Sequence, residues 1–347
     1  MFERGNHGMR KRLTYIGVVM LLITTLAGCA SQPSTAPTAA PTAAPSATLS
    51  PTRAILSLDW VPNTNHTGFY VAKEKGWYAE QGLDLEIQIP ADPSAALKQV
   101  AYGNTDFGVS FQEEVTIARS NDIPVVSVAA IIQHNTSAFA SLSEAGILRP
   151  RDVENRRYAS YALPIERPIL GQLMACDGGD IGKVEFIDVG FDVFPALVGK
   201  RVDVAWIFLG WDGVQADLMG LKLNTLPLYG SCVPDYYTPV IVTGETTLRD
   251  KPDLIRRFMA ATARGYAYAI AHPEESAEIL LRASPETKPD LIRRSQAWLS
   301  PRYQADAKSW GVQKPEIWQV FANFMFENKL IAKPIDPQKA FVNDFLP

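Results

Sequence analysis

Four short stretches of the chain gather side chains that could hold a small molecule. The first is Asp59-Trp60-Val61-Pro62-Asn63-Thr64-Asn65-His66-Thr67-Gly68, between an apolar run and a segment of helical spacing. One Asn or Thr is enough to cap a helix, so this joint holds more hydrogen-bonding groups than a cap requires. The rest either satisfy loop amides or line a pocket; Trp60 and His66 favour ligand contact, and Asp59 suits both roles. In the second stretch, Ser160 to Glu166, the acid opens a helix, where the dipole favours its charge; facing a cleft it would accept from ring N–H or hydroxyl donors. The third, Trp206 to Gly213, sets Trp206 and Trp211 at a strand end. Two indole faces suit a planar heterocycle, and the alternative is a hydrophobic wedge under the next helix. The fourth is Pro234 to Thr238. Tyr236 and Tyr237 point opposite ways on extended backbone, so at most one faces a ligand. Tyr102, Phe107 and Phe191 read as core.

This is binding chemistry rather than turnover. The chain has neither a GxGxxG nor a GxxxxGK phosphate signature. It has no HExxH and no cysteine pair at zinc spacing. His66, His134 and His272 lie far apart in sequence. No catalytic residue, metal or cofactor is assigned, and the expectation is a protein that is not an enzyme.

The elements around these stretches follow an α/β rhythm. Strands are expected at Ala54–Leu58, Leu83–Ile89, Asp106–Ser110 and Val125–Ile132, with helical spacing at Thr67–Glu80, Asp92–Tyr102 and Phe111–Ser120. The pattern restarts after Pro150. Strands are expected at Arg157–Tyr161, Lys183–Val189, Val202–Phe208 and Thr225–Tyr229. Helices are expected at Glu166–Cys176, from Phe191 to Leu197, and at Asp212–Met219. From Asp250 the chain is mostly helical, with Leu254, Phe258, Met259, Thr262 and Tyr266 on one face of a long helix. Strand–helix alternation predicts largely parallel sheets covered on both faces. Two such units and a helical tail suggest two lobes around a cleft, with crossovers near Ile132–Leu142 and Tyr237–Thr243. Ligands gather at the carboxyl ends of strands in such sheets, where all four stretches lie.

The N-terminal region has a different composition. Arg4, Arg10, Lys11 and Arg12 precede an apolar segment, Leu13 to Ala27, too short for a convincing membrane span. Its end, Leu26-Ala27-Gly28-Cys29, resembles the bacterial lipobox, which implies cleavage before Cys29 and acyl chains on that thiol, anchoring a soluble body to the membrane. Ser31 to Thr52, uncharged and rich in Pro, Thr and Ala, reads as a tether. The expected organisation is therefore a signal peptide (1–28), an anchor and linker (29–53), the first part of lobe 1 (54–140), lobe 2 (141–237), and a return to lobe 1 with C-terminal helices (238–347). The 347 residues carry a net charge of −4, which gives no warrant for nucleic-acid or anionic-membrane binding. Cys176 and Cys232 could pair in an oxidising exterior or remain buried thiols; spacing does not decide.

Leu58 to Gly68 resembles the opening of the NMT1/THI5-like (SsuA/THI5-like) family of extracytoplasmic solute-binding proteins. So do Val71 to Tyr78 with Gly82-Leu83, Ala101 to Val109, Ala205-Trp206 and Tyr236-Tyr237-Thr238. The likeness spans about Ile55 to Asn328. It implies a type II periplasmic-binding-protein fold, an α/β architecture of two lobes with mixed, mostly parallel sheets and a central cleft. It also implies an ABC permease with its cytoplasmic ATPase as partners, and a flat heteroaromatic solute. Overall likeness is to the riboflavin-binding lipoprotein branch, so riboflavin is the first expectation and a thiamine pyrimidine precursor the second. On the family pattern, Trp60 with Trp206 or Tyr236 would stack, and Asp59 or Glu166 would make polar contacts. Asn63, Asn65, His66 and Thr67 would meet the ribityl hydroxyls. The yeast-type pyrimidine synthase of the family carries a cysteine-rich run that this chain lacks, which weighs against the remaining alternative, a secreted enzyme acting on a heteroaromatic compound.

Overall fold

The computed structural model describes residues 51–347 except 93, 94 and 231. The leader, Cys29 and nearly all of the tether lie outside the described residues. Among the described residues, ten strands form two five-stranded sheets. The first contains β1 (Thr52–Ser57), β2 (Leu83–Gln88), β3 (Phe107–Ser110) and β4 (Val125–Ala130). The second contains β5 (Ser137–Leu142), β6 (Arg157–Ser160), β7 (Glu185–Asp188), β8 (Val204–Phe208) and β9 (Leu223–Pro227). The last strand, β10 (Val240–Gly244), returns to the first sheet. The spatial orders are β2-β1-β3-β10-β4 and β7-β6-β8-β5-β9.

Each sheet has one strand running against the others: β10 is antiparallel to β3 and β4, and β5 to β8 and β9. These two strands are the segments that sequence patterning assigned to the crossovers. Ser137–Leu142 and Val240–Gly244 are nearly all buried, so they lack the polar alternation that marks a one-sided strand. The second sheet thus begins at Ser137, ahead of the division expected after residue 140.

The helices follow in order: α1 (Thr67–Glu74), α2 (Trp77–Glu80), α3 (Ala95–Ala101), α4 (Gln112–Ser120), α5 (Glu166–Cys176), α6 (Val193–Val198), α7 (Val214–Leu218), α8 (Glu245–Asp250), α9 (Pro252–Ala271), α10 (Pro273–Ala283), α11 (Pro289–Gln304) and α12 (Pro315–Glu327). None of the described helices is long and apolar enough to cross a membrane. The expected helix Thr67–Glu80 is two helices, broken at Gly76, which takes φ 74°. An L side chain is disfavoured there, so glycine is suited to the break. Leu254, Phe258, Met259, Thr262 and Tyr266 of α9 are all buried, as their spacing predicts. Phe258 stacks on Phe107 with ring centroids 3.8 Å apart. Helices α1 and α9 approach so closely that a Cβ on Gly265 would lie 2.0 Å from the Gly68 carbonyl oxygen.

The C-terminal helix serves both lobes. Trp318 of α12 packs with Val240 and Val242 under the first sheet, while Phe321, Phe324 and Met325 enter the core of the second. Cys176, at the end of α5, is bonded to Cys232, so the open question about these thiols resolves as a disulfide. Tyr102 departs from the core assignment. It follows the last residue of α3 and is 80% exposed, because the buried face of that helix ends with Val100.

Candidate ligand-binding site

The carboxyl ends of β1, β3, β6, β7 and β8, with the amino end of β10, surround a cavity between the two sheets. Its lining is Asp59, Trp60, Phe111, Glu113 and Thr238 on one side. On the other are Tyr161, Leu163, Ile165, Glu166, Phe191, Trp206 and Phe208. Strand ends of a parallel sheet expose the residues that follow each strand. Trp60 follows β1, Tyr161 follows β6, Phe191 follows β7, and Phe208 closes β8.

Trp60 projects from the first lobe into a cup of rings from the second. Its centroid lies 6.3 Å from Phe191 with the planes inclined by 27°. Phe208 lies at 6.3 Å, and Tyr161 stands edge-on at 6.4 Å. A flat ring held between two others needs about 7 Å, two carbon contacts of roughly 3.5 Å each. Trp60 and Phe191 face one another across the cleft, and an opening of the lobes would turn the space between them into a slot for a flat ring.

The acids of the site are in different states. Glu166 is buried and accepts four hydrogen bonds: from Ser160 Oγ (3.1 Å) and Leu163 N (2.8 Å) at Oε1, and from Tyr158 OH (2.8 Å) and Tyr161 N (3.1 Å) at Oε2. Burial raises its pKa, and those donors pull the other way. Asp59 Oδ1 accepts from His66 Nε2 at 2.6 Å. The Nδ1 of the same ring accepts from Asn63 N at 3.3 Å, which places the proton on Nε2. Glu113 lies in the first turn of α4, and burial holds its carboxyl well above the ordinary range. Just behind the wall, buried Asp212 accepts from Phe208 N at 3.0 Å and is pushed up to about 7 by burial. Among the described residues, no Lys or Arg lines the cavity. The described residues contain no group of His, Cys, Asp and Glu arranged to hold a metal.

The structure brings Asp59, Trp60, Glu166 and Trp206 together at the cavity, as their sequence positions suggest. It turns the other seven candidates to other contacts. Asn63 Oδ1 accepts from Asn65 N at 2.9 Å and caps the turn before α1. The Asn65 carbonyl accepts from Tyr266 OH at 2.6 Å. Thr67 Oγ1 donates to Gln296 Oε1 at 2.6 Å, and His66 is buried against Asp59. The polar joint therefore fastens β1 and α1 to α9 and α11. Trp211 packs with Val214, Leu280 and Ile292. Tyr236 packs on Phe321, centroids 4.4 Å apart. Tyr237 is held at the second crossover by Gln112 Oε1, which accepts from its N (2.8 Å), and by Lys314 N, which donates to its hydroxyl (2.8 Å). Both tyrosines are fully buried, and neither belongs to the cavity lining.

Phe191, read from sequence as core, lines the cavity instead. Glu113, Phe111, Tyr161, Phe208 and Thr238 also line it without having been singled out. For Tyr161 and Phe208 the signal was an aromatic at a strand end. Glu113 had none, since an acid in a helix first turn is ordinary.

Two sheets of this order with a cavity between them define the two-lobed periplasmic-binding-protein architecture. The alkanesulfonate-binding protein SsuA of Xanthomonas axonopodis pv. citri, solved with MOPS bound, matches with a TM-score of 0.64 at 14% identity, over 85% of this chain and 99% of that one. Within that architecture the chain belongs to the NMT1/THI5 like family, whose model matches residues 63–276. A formylaminopyrimidine-binding protein of Halalkalibacterium halodurans is 28% identical over 82% of this chain and 88% of its own length. A 4-amino-5-hydroxymethyl-2-methylpyrimidine phosphate synthase of Legionella pneumophila is 27% identical over 85% and 93%. The riboflavin-binding protein RibY of Chloroflexus aurantiacus is 26% identical over 98% and 99%.

Proposed function

We propose that this protein is the extracytoplasmic solute-binding component of an ABC importer, tethered to the membrane through Cys29. We infer that its solute is a flat heterocycle bearing an amino group, of the thiamine-pyrimidine-precursor kind. The observation that carries this reading is the lining: aromatic rings from both lobes with the carboxyls of Asp59 and Glu113, and, among the described residues, no Lys or Arg. Acceptors without a cation favour a solute that donates hydrogen bonds and is neutral or cationic. A sulfonate or phosphate would be desolvated there with no cation to offset its charge. An aminopyrimidine presents donors; the polar edge of an isoalloxazine presents two carbonyl acceptors around one N–H. The lining therefore moves the pyrimidine ahead of riboflavin. Likeness to a riboflavin-binding protein along almost the whole of both chains and the rings around Trp60 keep riboflavin as the second reading.

Closure of the lobes around solute would be a population shift toward the state the solute prefers. The test is titration calorimetry of the full-length protein in detergent with 4-amino-5-hydroxymethyl-2-methylpyrimidine and with riboflavin, followed by chromatography of the recovered compound. One-to-one binding with the compound unchanged supports a carrier. Consumption of the compound would assign an enzyme, the activity that some relatives' names carry. Preference for riboflavin would reverse the order of solutes.

A further inference from the structure

Hydrogen-bond accounting separates the carboxyls of the cavity. Glu166 is saturated, with two donors on each oxygen. Asp59 commits Oδ1 to His66. Glu113 is only 4% exposed, and its Oε2 is buried with no partner among the described residues. The cavity lining holds one more such atom, Nε1 of Trp206, a residue 6% exposed. Buried polar groups are paired in the great majority of cases, and one left unpaired costs about 1–3 kcal/mol. Of the other unpaired atoms among the described residues, Ser141 Oγ and Ser276 Oγ lie away from the cavity, and the Tyr236 hydroxyl does not line it but lies within electrostatic reach of Glu113. Glu113 and Trp206 share the cavity, and they come from different lobes: Glu113 from α4 behind the first sheet, Trp206 from β8 in the second.

We propose that Glu113 and the Trp206 indole N–H are the two polar anchors of the solute, one from each lobe, and that they read a ligand edge carrying a donor beside an acceptor. An exocyclic amino group next to a ring nitrogen is such an edge. The amino group donates to Glu113, and the acceptor takes the Trp206 N–H. One solute then satisfies both orphans only when the lobes close on it, which gives the closed state its ligand preference. The assignment rests on the reading of this cavity as the solute site. It replaces Glu166, whose lone pairs are already engaged, with a residue that the family resemblance did not indicate.

The experiment is titration of the full-length protein with 4-amino-5-hydroxymethyl-2-methylpyrimidine, comparing wild type, Glu113→Met and Trp206→Phe, with unfolding midpoints of the ligand-free proteins. Each variant removes an unpaired polar atom and keeps most of the side-chain volume. The expected result is about tenfold weaker binding or more for Glu113→Met and roughly fivefold for Trp206→Phe, with ligand-free midpoints equal to or above wild type. A residue of merely structural importance would lower the midpoint. If Glu113→Met fails to fold, Glu113→Gln takes its place. Tight wild-type binding with unchanged affinity in the folded variants would overturn the inference alone. Absence of wild-type binding to both this pyrimidine and riboflavin would overturn the solute reading and the inference with it.

Discussion

Replacing Trp60 with Ala tests the cavity where an indole of the first lobe meets the rings of the second. In the structure Trp60 faces Phe191 at 6.3 Å, Phe208 at 6.3 Å and Tyr161 at 6.4 Å. A bound ring in the Trp60–Phe191 slot would stack on the indole. Stacking of a heterocyclic base on one aromatic side chain is worth about 1–3 kcal/mol by alanine substitution. At about 1.4 kcal/mol per factor of ten, Trp60→Ala should raise Kd roughly 5- to 150-fold. The folding cost should be smaller. Trp60 is only partly buried, and its ring contacts are each worth about 0.5–1.5 kcal/mol in well-packed pairs. Calorimetric titration gives the first quantity and thermal unfolding the second, with the tightest-binding of the two candidate solutes as titrant. Trp318→Leu is the control: its ring packs with Val240, Val242 and Phe341, none of which lines the cavity, so it should lose stability and keep affinity. A folded Trp60→Ala protein that binds within twofold of wild type would refute the stacking argument, and loss of affinity in Trp318→Leu would refute the placement of the slot.

Three further outcomes follow from the buried groups and the packing. The Asp212 carboxyl is held at about 7 by burial, so between about pH 4 and 7 the folded state keeps a proton that the unfolded state releases; stability falls as pH rises through that window. At about 1.4 kcal/mol per pH unit the loss approaches roughly 4 kcal/mol, and urea midpoints at pH 5 and 7.5 should converge in Asp212→Asn. An unchanged slope in that variant would assign the effect to other buried acids. Glu166→Gln turns an amide N–H₂ toward donors that now meet a carboxylate, and should lower stability by about 2–4 kcal/mol; an unchanged denaturation midpoint would contradict the four-bond geometry. Gly265→Ala drives a methyl into the Gly68 carbonyl oxygen, 2.0 Å away, and should cost about 1–3 kcal/mol or more; a thermal midpoint equal to wild type would mean that α1 and α9 separate easily.

Most of the elements of the described body were legible in the sequence, because apolar periodicity records which face of each helix or strand is buried. Helix α5 and the buried stripe of α9 coincide with their sequence assignments. Strands β5 and β10 did not declare themselves, since a short, wholly buried strand has no alternation and resembles any apolar connector. The sequence by itself also determined that aromatic and polar residues crowd the strand ends, the place where an α/β sheet receives ligands. Only the tertiary structure decided which of them face the cavity. Asn63, His66 and Thr67 look like ligand residues by type, yet their partners are Asn65, Asp59 and Gln296, the last of them on α11, far along the chain. Phe191 looks like core, yet it meets Trp60 across the cleft. The physical reason is the same in each case. A polar group's role is set by whether a partner already satisfies it, and an aromatic's by what lies across from its face. Both depend on contacts between segments remote in sequence.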